Sequence, residues 1–550
     1  MNQAKKWQVE NTDKIGSIQE LLKILLANRG IVTKKETEDF LNPNLSDVTI
    51  NSVKINKNEL KKALARISKA IKEKQKIIIF GDYDVDGISA SAILWETLNS
   101  LGADVLPFIP SRFDEGYGLS KEGIDNLLSK QKLDLIITVD NGIVANKAVE
   151  YANKKNIDVI ITDHHMPSKN LPNAFAIIHT TLLCGAGVAY LFSKEIAGQK
   201  INDKDTHLEL VALATISDLV PLTFANRILV YFGLRALRKT SRIGLLSLIE
   251  KAGIRKEDIG VYEIGHILAP RLNAMGRLSS AMDSLRLICT NNKKRADELS
   301  TLLSKTNFQR QQVTIDALVD ARKKVEKKEI KNLIFIASES YQQGIVGLVA
   351  GRLVEEYYFP SIVISKGKKY SKASARSVKG FNIIEFLRTA SDLLVDVGGH
   401  PMAAGFTVET SKLELLEEKL FENASKLLKK QHLERSLRID AELPLDLINS
   451  DTYLQIQKLS PFGMANPEPT FVTKDFKIES IRLLGNDGQH LKLKIIKDNL
   501  FFDAIAFGIG NRNEFKIGDS VDVVYTIDEN EWNGNKILQL KIKDIRKTKL

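Results

Sequence analysis

Three apolar runs in the first part of the chain each end in an aspartate, and this pattern restricts the possible folds more than any other feature. The runs are KIIIFGD, LDLIITVD and IDVIITD, which end at Asp82, Asp140 and Asp163. Helical patterns such as ISASAILWETLNSLG and ANKAVEYANKKN separate them. Continuous apolar strands that alternate with helices predict an α/β fold with a parallel sheet covered on both faces. Because ligands bind beyond the carboxyl ends of such strands, we expect the acids to converge on one crevice.

The first run leads into FGDYDVDG, which places Asp82, Asp84 and Asp86 at every second position. Like charges this close raise one another's pKa, so the cluster is stable only with a cation among them. The same spacing opens an EF-hand loop, but Ile93 stands where that loop needs a bidentate Glu, and a β-run replaces the preceding helix. A strand-end Asp-Gly turn with its acids in water would explain one or two of these acids, but not three. The segment therefore predicts a metal site.

Further candidate ligands follow along the chain. The segment TDHH adds His164 and His165, and since adjacent residues of an extended chain point to opposite sides, we expect one to bind metal and the other a substrate phosphate. Asp218 lies in the apolar context ATISDLVPL, where a lone carboxylate is costly unless it is paired or binds metal. The candidate ligands are Asp82, Asp84, Asp86, Asp140, Asp163, His164 and Asp218.

Such a set is large enough for two divalent ions that share a bridging carboxylate. Two ions stabilise the attacking and leaving oxygens of an in-line displacement at phosphorus, with a metal-activated water as the nucleophile. Oxygen-rich ligands favour Mn²⁺ or Mg²⁺ over structural zinc. The residues themselves thus predict metal-dependent hydrolysis at phosphorus.

The rest of the chain divides by its patterns. From Glu209 to about Ile330 the pattern is mainly helical, and it closes with a segment free of Gly and Pro that would make about ten helical turns and a stiff connector. A second α/β pattern begins at NLIFIAS, and the tail holds around five short alternating strands, typical of an OB-type barrel for single-stranded nucleic acid. We predict a helical leader over 1–60, a catalytic α/β domain over 61–240, a helical region with the connecting helix over 241–330, a second α/β domain over 331–432 and the barrel over 433–550.

Several segments outside the acid-tipped strands offer donors for phosphate. The glycine-rich segment GGHPMAAGF lets backbone N–H groups and an imidazole approach an anion, although a glycine turn packed on a core is the alternative. The segments SKASARSVKGF, PRLNAMGR and the connecting helix add polar side chains; for the last two a surface or capping role competes. The candidate substrate contacts are His165, Arg271, Asn273, Arg277, Asn307, Arg310, Gln311, Ser374, Arg376, Ser377, Gly399 and His400.

Composition adds weaker constraints. The net charge of +11 suits a polyanionic partner, although solvated lysine-rich helices would also produce it. No run approaches the roughly 20 apolar residues of a membrane span, and the first residues lack the apolar stretch of a signal peptide, so we expect a cytoplasmic protein without a membrane partner. Cys184 and Cys289 cannot form a disulfide framework or a thiolate zinc site, and we expect both to be buried fillers.

The motifs GDYDVDG, TVDNG, TDHH and ISDLVPL, followed by GGHPMAAG, resemble those of the DHH phosphoesterase superfamily, with its DHH domain and its DHH-associated substrate-binding domain. Within it, PRLNAMGR, GIVGLVAGRL and LSPFGMANPEPTF resemble the RecJ family of bacterial exonucleases. The resemblance extends from about residue 20 to the last residue.

This resemblance implies a single-strand-specific 5′→3′ DNA exonuclease of recombination and repair that uses two Mn²⁺ or Mg²⁺ ions. It assigns the metal ligands to Asp82, Asp84, Asp86, Asp140, His164 and Asp218, with Asp163 beside them. His165 would meet the scissile phosphate, and His400 with Arg376 would hold the strand in a groove between the two α/β domains. The OB-fold barrel would grip the strand through Lys492, Lys494, Phe501, Phe502 and Trp532. We expect a monomer whose partners are single-strand-binding protein and a RecQ-type helicase.

The chain departs from the family pattern in a few places. Where the family has an Asn-Pro-Asn segment and a longer loop after the DHH motif, the chain reads IIHTTLLCGAGVAYLF, which leaves the nucleotide contacts there open. Gln343 and Ala465 replace a common acid and a common glycine, and the sequence stops after the barrel. Two other functions remain as alternatives: a DHH phosphoesterase for short oligonucleotides or small nucleotides, and a catalytically silent scaffold for single-stranded DNA.

Overall fold

The structure is a computed structural model that describes residues 5–111, 115–116, 118–198, 206–327, 332–485, 487–510, 515–532 and 535–548. The chain forms two compact units. One comprises Leu45–Val220 and Ala225–Glu434, and the other comprises Gln3–Asn44, Pro221–Phe224 and the residues from Arg435 onward. Within these described ranges, none of the helices combines the length and the apolar character that a membrane crossing requires.

The chain begins with one strand and two helices, which belong to the second unit. They are β1 (Lys6–Asn11), α1 (Ile18–Ala27) and α2 (Lys34–Leu41). Ser17 and Thr33 begin the two helices, because their side chains accept hydrogen bonds from the N–H groups of the first turn. The sequence predicts helical turns and loop for this region, so the strand β1 is a correction.

The first unit begins with five parallel strands in the order β3-β2-β4-β5-β6. The strands β2 and β4 are buried almost throughout, which explains their continuous apolar sequences and confirms the predicted parallel sheet. The elements of this part are α3 (Lys57–Lys72), β2 (Lys76–Phe80), α4 (Val85–Ser100), β3 (Asp104–Phe108), α5 (Lys121–Leu128), β4 (Leu135–Val139), α6 (Asn146–Lys154), β5 (Asp158–Asp163), β6 (Ala176–His179), α7 (Gly185–Ala197) and α8 (Leu208–Ser217).

A helical segment follows in the same unit, and it ends in the predicted connecting helix. Its elements are α9 (Phe224–Arg238), α10 (Ile243–Lys251), α11 (Val261–Glu263) with a π-helical turn at Ile264–Leu268, α12 (Ala269–Leu278), α13 (Met282–Cys289) and α14 (Lys293–Lys327). The 35 residues of α14 form one helix, which packs on α10, α12 and α13 and also on the next α/β layer. Cys184 is buried as expected, whereas Cys289 is partly exposed, which corrects the expectation for that residue.

The second α/β layer is a mixed sheet in the order β10-β11-β9-β8-β7. Only β7 and β8 run parallel, and the other neighbours are antiparallel. Separate apolar clusters cover its two faces. The elements are β7 (Ile334–Ser338), α15 (Val346–Tyr357), β8 (Ser361–Ser365), β9 (Tyr370–Arg376), α16 (Ile383–Arg388), β10 (Leu394–His400), β11 (Ala403–Glu409) and α17 (Leu413–Leu427).

The second unit is built on a closed five-stranded barrel, as predicted. Strands β13, β14, β15, β17 and β16 pair in that order, and β16 pairs back to β13. Strands β12 and β1 extend the sheet, with β1 parallel to β12. The elements are β12 (Ser436–Glu442), α18 (Ser450–Gln457), β13 (Phe471–Leu484), β14 (His490–Lys497), β15 (Leu500–Ala506), β16 (Ser520–Trp532) and β17 (Asn535–Lys547). The bounds of the five predicted domains stay predictions.

Candidate metal centre and substrate cleft

The parallel sheet of the first unit brings the predicted acids together at one edge. Asp140 directly follows β4, and Asp163 is the last residue of β5. Asp84 is the N-cap of α4, and Asp218 is the C-cap of α8. Three overlapping groups have ligand atoms within 4.8 Å of one another: Asp140, His164 and His165; Asp86, His164 and Asp218; Asp82, Asp84 and Asp140.

His164 lies in the middle of these carboxylates. Its Nε2 is 3.0 Å from Asp140 Oδ1, 3.6 Å from Asp86 Oδ2 and 3.7 Å from Asp218 Oδ2. The imidazole is only 11% exposed. Burial lowers the pKa of His164, so the ring is a neutral nitrogen donor beside three carboxylates. A neutral imidazole in such a position can coordinate a metal ion.

The first turn of α7 fixes Asp86. The N–H groups of Gly185 and Ala186 donate to Asp86 Oδ2 and Oδ1 over 2.6 and 2.7 Å. Cys184, the N-cap of α7, makes no side-chain cap bond, so the carboxylate of Asp86 performs the cap from a distant part of the sequence. A Cβ on Gly185 would lie 2.7 Å from Asp140 Cβ, so only glycine allows this approach.

Asp84 combines a structural role with its place among the ligands. Its Oδ1 accepts hydrogen bonds from the N–H groups of Asp86 and Gly87, over 2.9 and 3.1 Å, and thereby caps α4. Those bonds engage one oxygen and leave Oδ2 for another ligand. The alternative of a strand-end Asp-Gly turn with its acids in water is wrong, because Asp86 and Gly87 lie in the first turn of α4 and Asp82 and Asp86 are buried.

Asp163 holds the two histidines in place and belongs to none of the three ligand groups. Its Oδ1 accepts from the backbone N–H groups of His164 and His165 and lies 2.8 Å from Nδ1 of the His165 ring, while Oδ2 accepts from Ile143 N–H. Burial would lower the pKa of His165, but the hydrogen bond and charge of Asp163 outweigh it and raise the pKa to about 9. Asp163 therefore favours the charged form of the His165 ring.

The remaining acids repel one another. Burial and the charges of neighbouring aspartates raise the pKa of Asp140 well above its usual range and that of Asp218 to about 9. A divalent ion would relieve this repulsion by replacing protons. Carboxylate oxygens with one imidazole nitrogen are the donors that Mn²⁺ and Mg²⁺ take in proteins. The residues of the site thus fit these ions.

A cleft of about 580 Å³ adjoins the sheet edge within the first unit. Four of the predicted substrate contacts line it, together with Tyr83 from the acid-rich segment: Arg277, Ser374, Arg376 and Gly399. Arg376 Nη1 donates to Ser374 Oγ over 2.8 Å, and a Cβ on Gly347 would lie 2.8 Å from Arg376 Nη2. The rings of His165 and His400 are nearly parallel, with centroids 6.1 Å apart. The structure therefore brings His400 to the metal centre.

Other predicted contacts do not line the cleft, and several of them have structural partners. Arg271 donates to the carbonyl of Ile267, and Asn273 accepts from the N–H of Val85. Further along, Arg310 donates to Asn307, Ser377 donates to the carbonyl of Phe381, and Gln311 is exposed on α14. Their contact with substrate stays a prediction.

Two features of the site were not predicted. One is the pair of N–H groups at the start of α7, for which the glycines of CGAGVA were the available signal. The other is His179, the last residue of β6, which pairs with Asp163 across the parallel ladder. A four-residue strand ending in a lone histidine gives too weak a pattern to assign a role.

The barrel of the second unit presents basic and aromatic side chains on one strand pair. Lys494 Nζ lies 4.9 Å from the centre of the Phe501 ring, and Phe501 is 53% exposed. Lys492 occupies the same outward-facing side of β14 as Lys494. The side chain of Trp532, predicted to act with them, lies outside the described residues.

Family models match three parts of the chain. They are the DHH family, N-terminal domain, at residues 76–215, the DHHA1 domain at 329–430 and the RecJ OB domain at 439–544. Together they cover the catalytic sheet, the second α/β layer and the barrel.

Whole-chain relatives agree with these matches. The single-stranded-DNA-specific exonuclease RecJ of Bacillus subtilis is 34% identical over 98% of this chain and 70% of the relative, and that of Escherichia coli is 30% identical over 98% and 97%. The solved structure of Thermus thermophilus RecJ in complex with Mn²⁺ is 28% identical, with a TM-score of 0.84 over 99% of this chain and 80% of that one. Its complex with Mg²⁺ matches with a TM-score of 0.78 and 27% identity over 99% and 79%.

Proposed function

Because the chain belongs to the RecJ family and is a metal-dependent exonuclease, we propose that it removes nucleotides from the 5′ end of single-stranded DNA with two Mn²⁺ or Mg²⁺ ions. The observation that carries this proposal is the cluster of acids and histidines, together with a cleft that Arg277 and Arg376 line beside Tyr83 of the acid-rich segment. Cations of this kind bind phosphates.

The residues divide between two ions. We assign Asp82, Asp84 and Asp140 to one, and Asp86, His164 and Asp218 to the other. Asp140 and His164 each belong to two of the three ligand groups, so these two side chains would link the two sets of ligands. When bound, the ions supply Lewis acidity and a more acidic water for attack at phosphorus.

The side chains around the ions position the strand. His165, held in place by Asp163, contacts the scissile phosphate and stabilises its negative charge. Arg376 and Ser374, already hydrogen-bonded to each other, bind a further phosphate in the cleft, and His400 faces His165 from the second α/β layer. Lys492, Lys494 and Phe501 give the barrel a surface for the strand.

We retain the other predictions as part of this proposal. The enzyme acts as a monomer in the cytoplasm during recombination and repair. Its partners are single-strand-binding protein and a RecQ-type helicase. Contacts of Arg271, Asn273, Arg310 and Gln311 with the strand also belong to the proposal.

The test follows nucleotide release from strands labelled at the 5′ or the 3′ end, with Mn²⁺, with EDTA and with Asp140→Asn. We expect labelled mononucleotides to appear first from the 5′-labelled strand, only with metal, and not with the variant. Release from the 3′ end would overturn the polarity. Cleavage confined to very short oligonucleotides would identify a small-substrate phosphoesterase, and tight binding without cleavage would identify a scaffold.

A further inference from the structure

His179 makes a contact at the metal centre that the mechanism above does not use. Its Nε2 lies 2.7 Å from the carbonyl oxygen of His165. Because a carbonyl oxygen only accepts, the imidazole of His179 donates this hydrogen bond. The ring is half-buried, at the end of the edge strand β6. A side chain of the neighbouring strand therefore holds the backbone of the DHH motif.

This bond completes the fixation of His165. Asp163 accepts a hydrogen bond from the backbone N–H of His165 and pairs with Nδ1 of its ring. His179 donates to the carbonyl of His165, on the other side of the residue. Beyond His165 the chain enters a loop in which Met166 is 68% exposed. Further along this loop, the side chain of Asn146, which lies outside the loop, donates a hydrogen bond to the carbonyl of Asn170. The peptide after His165 thus depends on His179.

The residue after His179 provides a comparison, because its side chain stabilises the same turn without bonding to the DHH motif. The next residue, Thr180, donates from its hydroxyl to the carbonyl of Val53, in the segment before α3. His179 and Thr180 are both anchors of the same turn, but of their two side chains only that of His179 bonds to the DHH motif. The two residues can therefore be changed separately.

We propose that His179 is a positioning residue, which sets the place of His165 and His164 through the carbonyl of His165. Second-sphere hydrogen bonds of this kind typically affect metal affinity or activity by about 10-fold to 100-fold. The donor must sit at the end of the side chain, as Nε2 does. Glutamine can place an amide N–H at a similar reach, and leucine cannot donate at all.

Exonuclease kinetics give the first test, which rests on the proposed hydrolysis. We expect His179→Leu to lower kcat by about 10-fold to 100-fold, while the Kd for a strand measured in EDTA changes less than threefold. His179→Gln should recover most of the lost kcat. Thr180→Val, the matched control, should lower Tm and leave kcat near that of the unaltered protein. Equal kcat in the leucine variant and the unaltered protein would overturn the proposal.

Amide hydrogen exchange in the metal-free protein gives a second test that needs no activity. His179→Leu should speed exchange in peptides that cover residues 164–170, whereas His179→Gln and Thr180→Val should not. Unchanged exchange in the leucine variant, or equal acceleration in all three variants, would overturn the role of His179. If exchange behaves as expected but the unaltered protein releases no nucleotides, the proposed function fails while the anchor stands.

Discussion

At the scale of single residues, Asp140 combines a charge and a backbone requirement. It has φ of 62°, in the left-handed region, and its carboxylate is buried among other acids. Asparagine tolerates this backbone better than most residues and has the same shape without the charge. Substitutions here can therefore separate the ligand from the backbone geometry.

We expect Asp140→Asn to lower nucleotide release by about three orders of magnitude, since it removes a proposed metal ligand. The metal-free protein should become more stable, because the substitution removes a repelling carboxylate, and the rise of Tm on adding Mn²⁺ should shrink. Asp140→Ala should be equally inactive but less stable than Asp140→Asn by about 1 kcal/mol, owing to its left-handed backbone. Thermal melts with and without Mn²⁺ measure both effects, and an active asparagine variant would contradict the ligand assignment.

Gly185 carries the second prediction at this scale. A Cβ there would lie 2.7 Å from Asp140 Cβ and 2.9 Å from its Oδ1, so Gly185→Ala should push α7 away from Asp86 and Asp140. We expect a loss of stability of about 1 to 3 kcal/mol and at least a 10-fold loss of kcat. In Gly351→Ala the new Cβ meets nothing within 4 Å, so that variant should keep full activity. Denaturant unfolding and nucleotide release are the measurements, and a fully active Gly185→Ala variant would disprove the close packing.

At the scale of elements, the sequence predicts the catalytic sheet well because each strand carries its own signal. Strands β2, β4 and β5 are buried apolar runs that are followed by or end in acids. Their hydrophobic pattern predicts strands, and their acids predict the position of the site. The separate roles of the acids could not be predicted from the sequence. Asp163 holds the histidines through hydrogen bonds, and Asp86 caps α7. The cap of α7 joins residues 99 and 100 positions apart, and Asp163 also accepts from the N–H of Ile143, 20 positions away.

The strand β1 shows a second limit. Its six residues alternate between exposed and half-buried positions, so its sequence carries little apolar signal. Its partner β12 lies more than 400 residues further along, and no local pattern specifies such a pairing. The helices α1 and α2 beside it have caps in the sequence, and the strand has none.

A charged network ties together the helices that carry the ligands. Glu96 of α4 binds Arg242 through two hydrogen bonds of 2.6 and 2.7 Å and lies 2.8 Å from Nε2 of His207, which precedes α8. Asp86 is in the first turn of α4, and Asp218 ends α8. The network therefore sets the spacing of two ligands from the opposite ends of their helices.

Glu96→Gln should reveal this network through its pH dependence. Burial would raise the pKa of Glu96, but the bonds to Arg242 and His207 lower it from 4.5 to about 2. The stabilisation is thus complete above pH 4.5 and is lost as the pH falls towards 2. We expect the variant to be less stable by about 3 kcal/mol at pH 7, with the difference shrinking below pH 4.5. Urea unfolding at several pH values measures the difference in stability. The control is Glu385→Gln, because Glu385 forms an ion pair with Arg388 that is exposed to solvent. A difference that is independent of pH would contradict the assignment.

At the scale of the whole molecule, the barrel is proposed to supply affinity for the strand. Replacing Lys492 and Lys494 together with glutamine should reduce the slope of log Kd against log salt by about 1.4, since each phosphate contact on a single strand contributes about 0.7. Lys474→Gln is the control, because that ammonium already pairs with Glu442 over 2.7 Å. Titrations of a 30-nucleotide strand at several salt concentrations give the slopes. An unchanged slope in the double variant would remove these lysines from the binding surface.

The pairing of β1 with β12 has a consequence for biosynthesis. About 425 residues separate Asn11 from Ser436, so a ribosome needs roughly 20 to 85 seconds to deliver the second strand after the first. During that interval the whole first unit emerges and can fold, while β1 remains unpaired because β12 has not yet been synthesised. The unit whose first strand is made earliest is therefore the last to be completed on the ribosome.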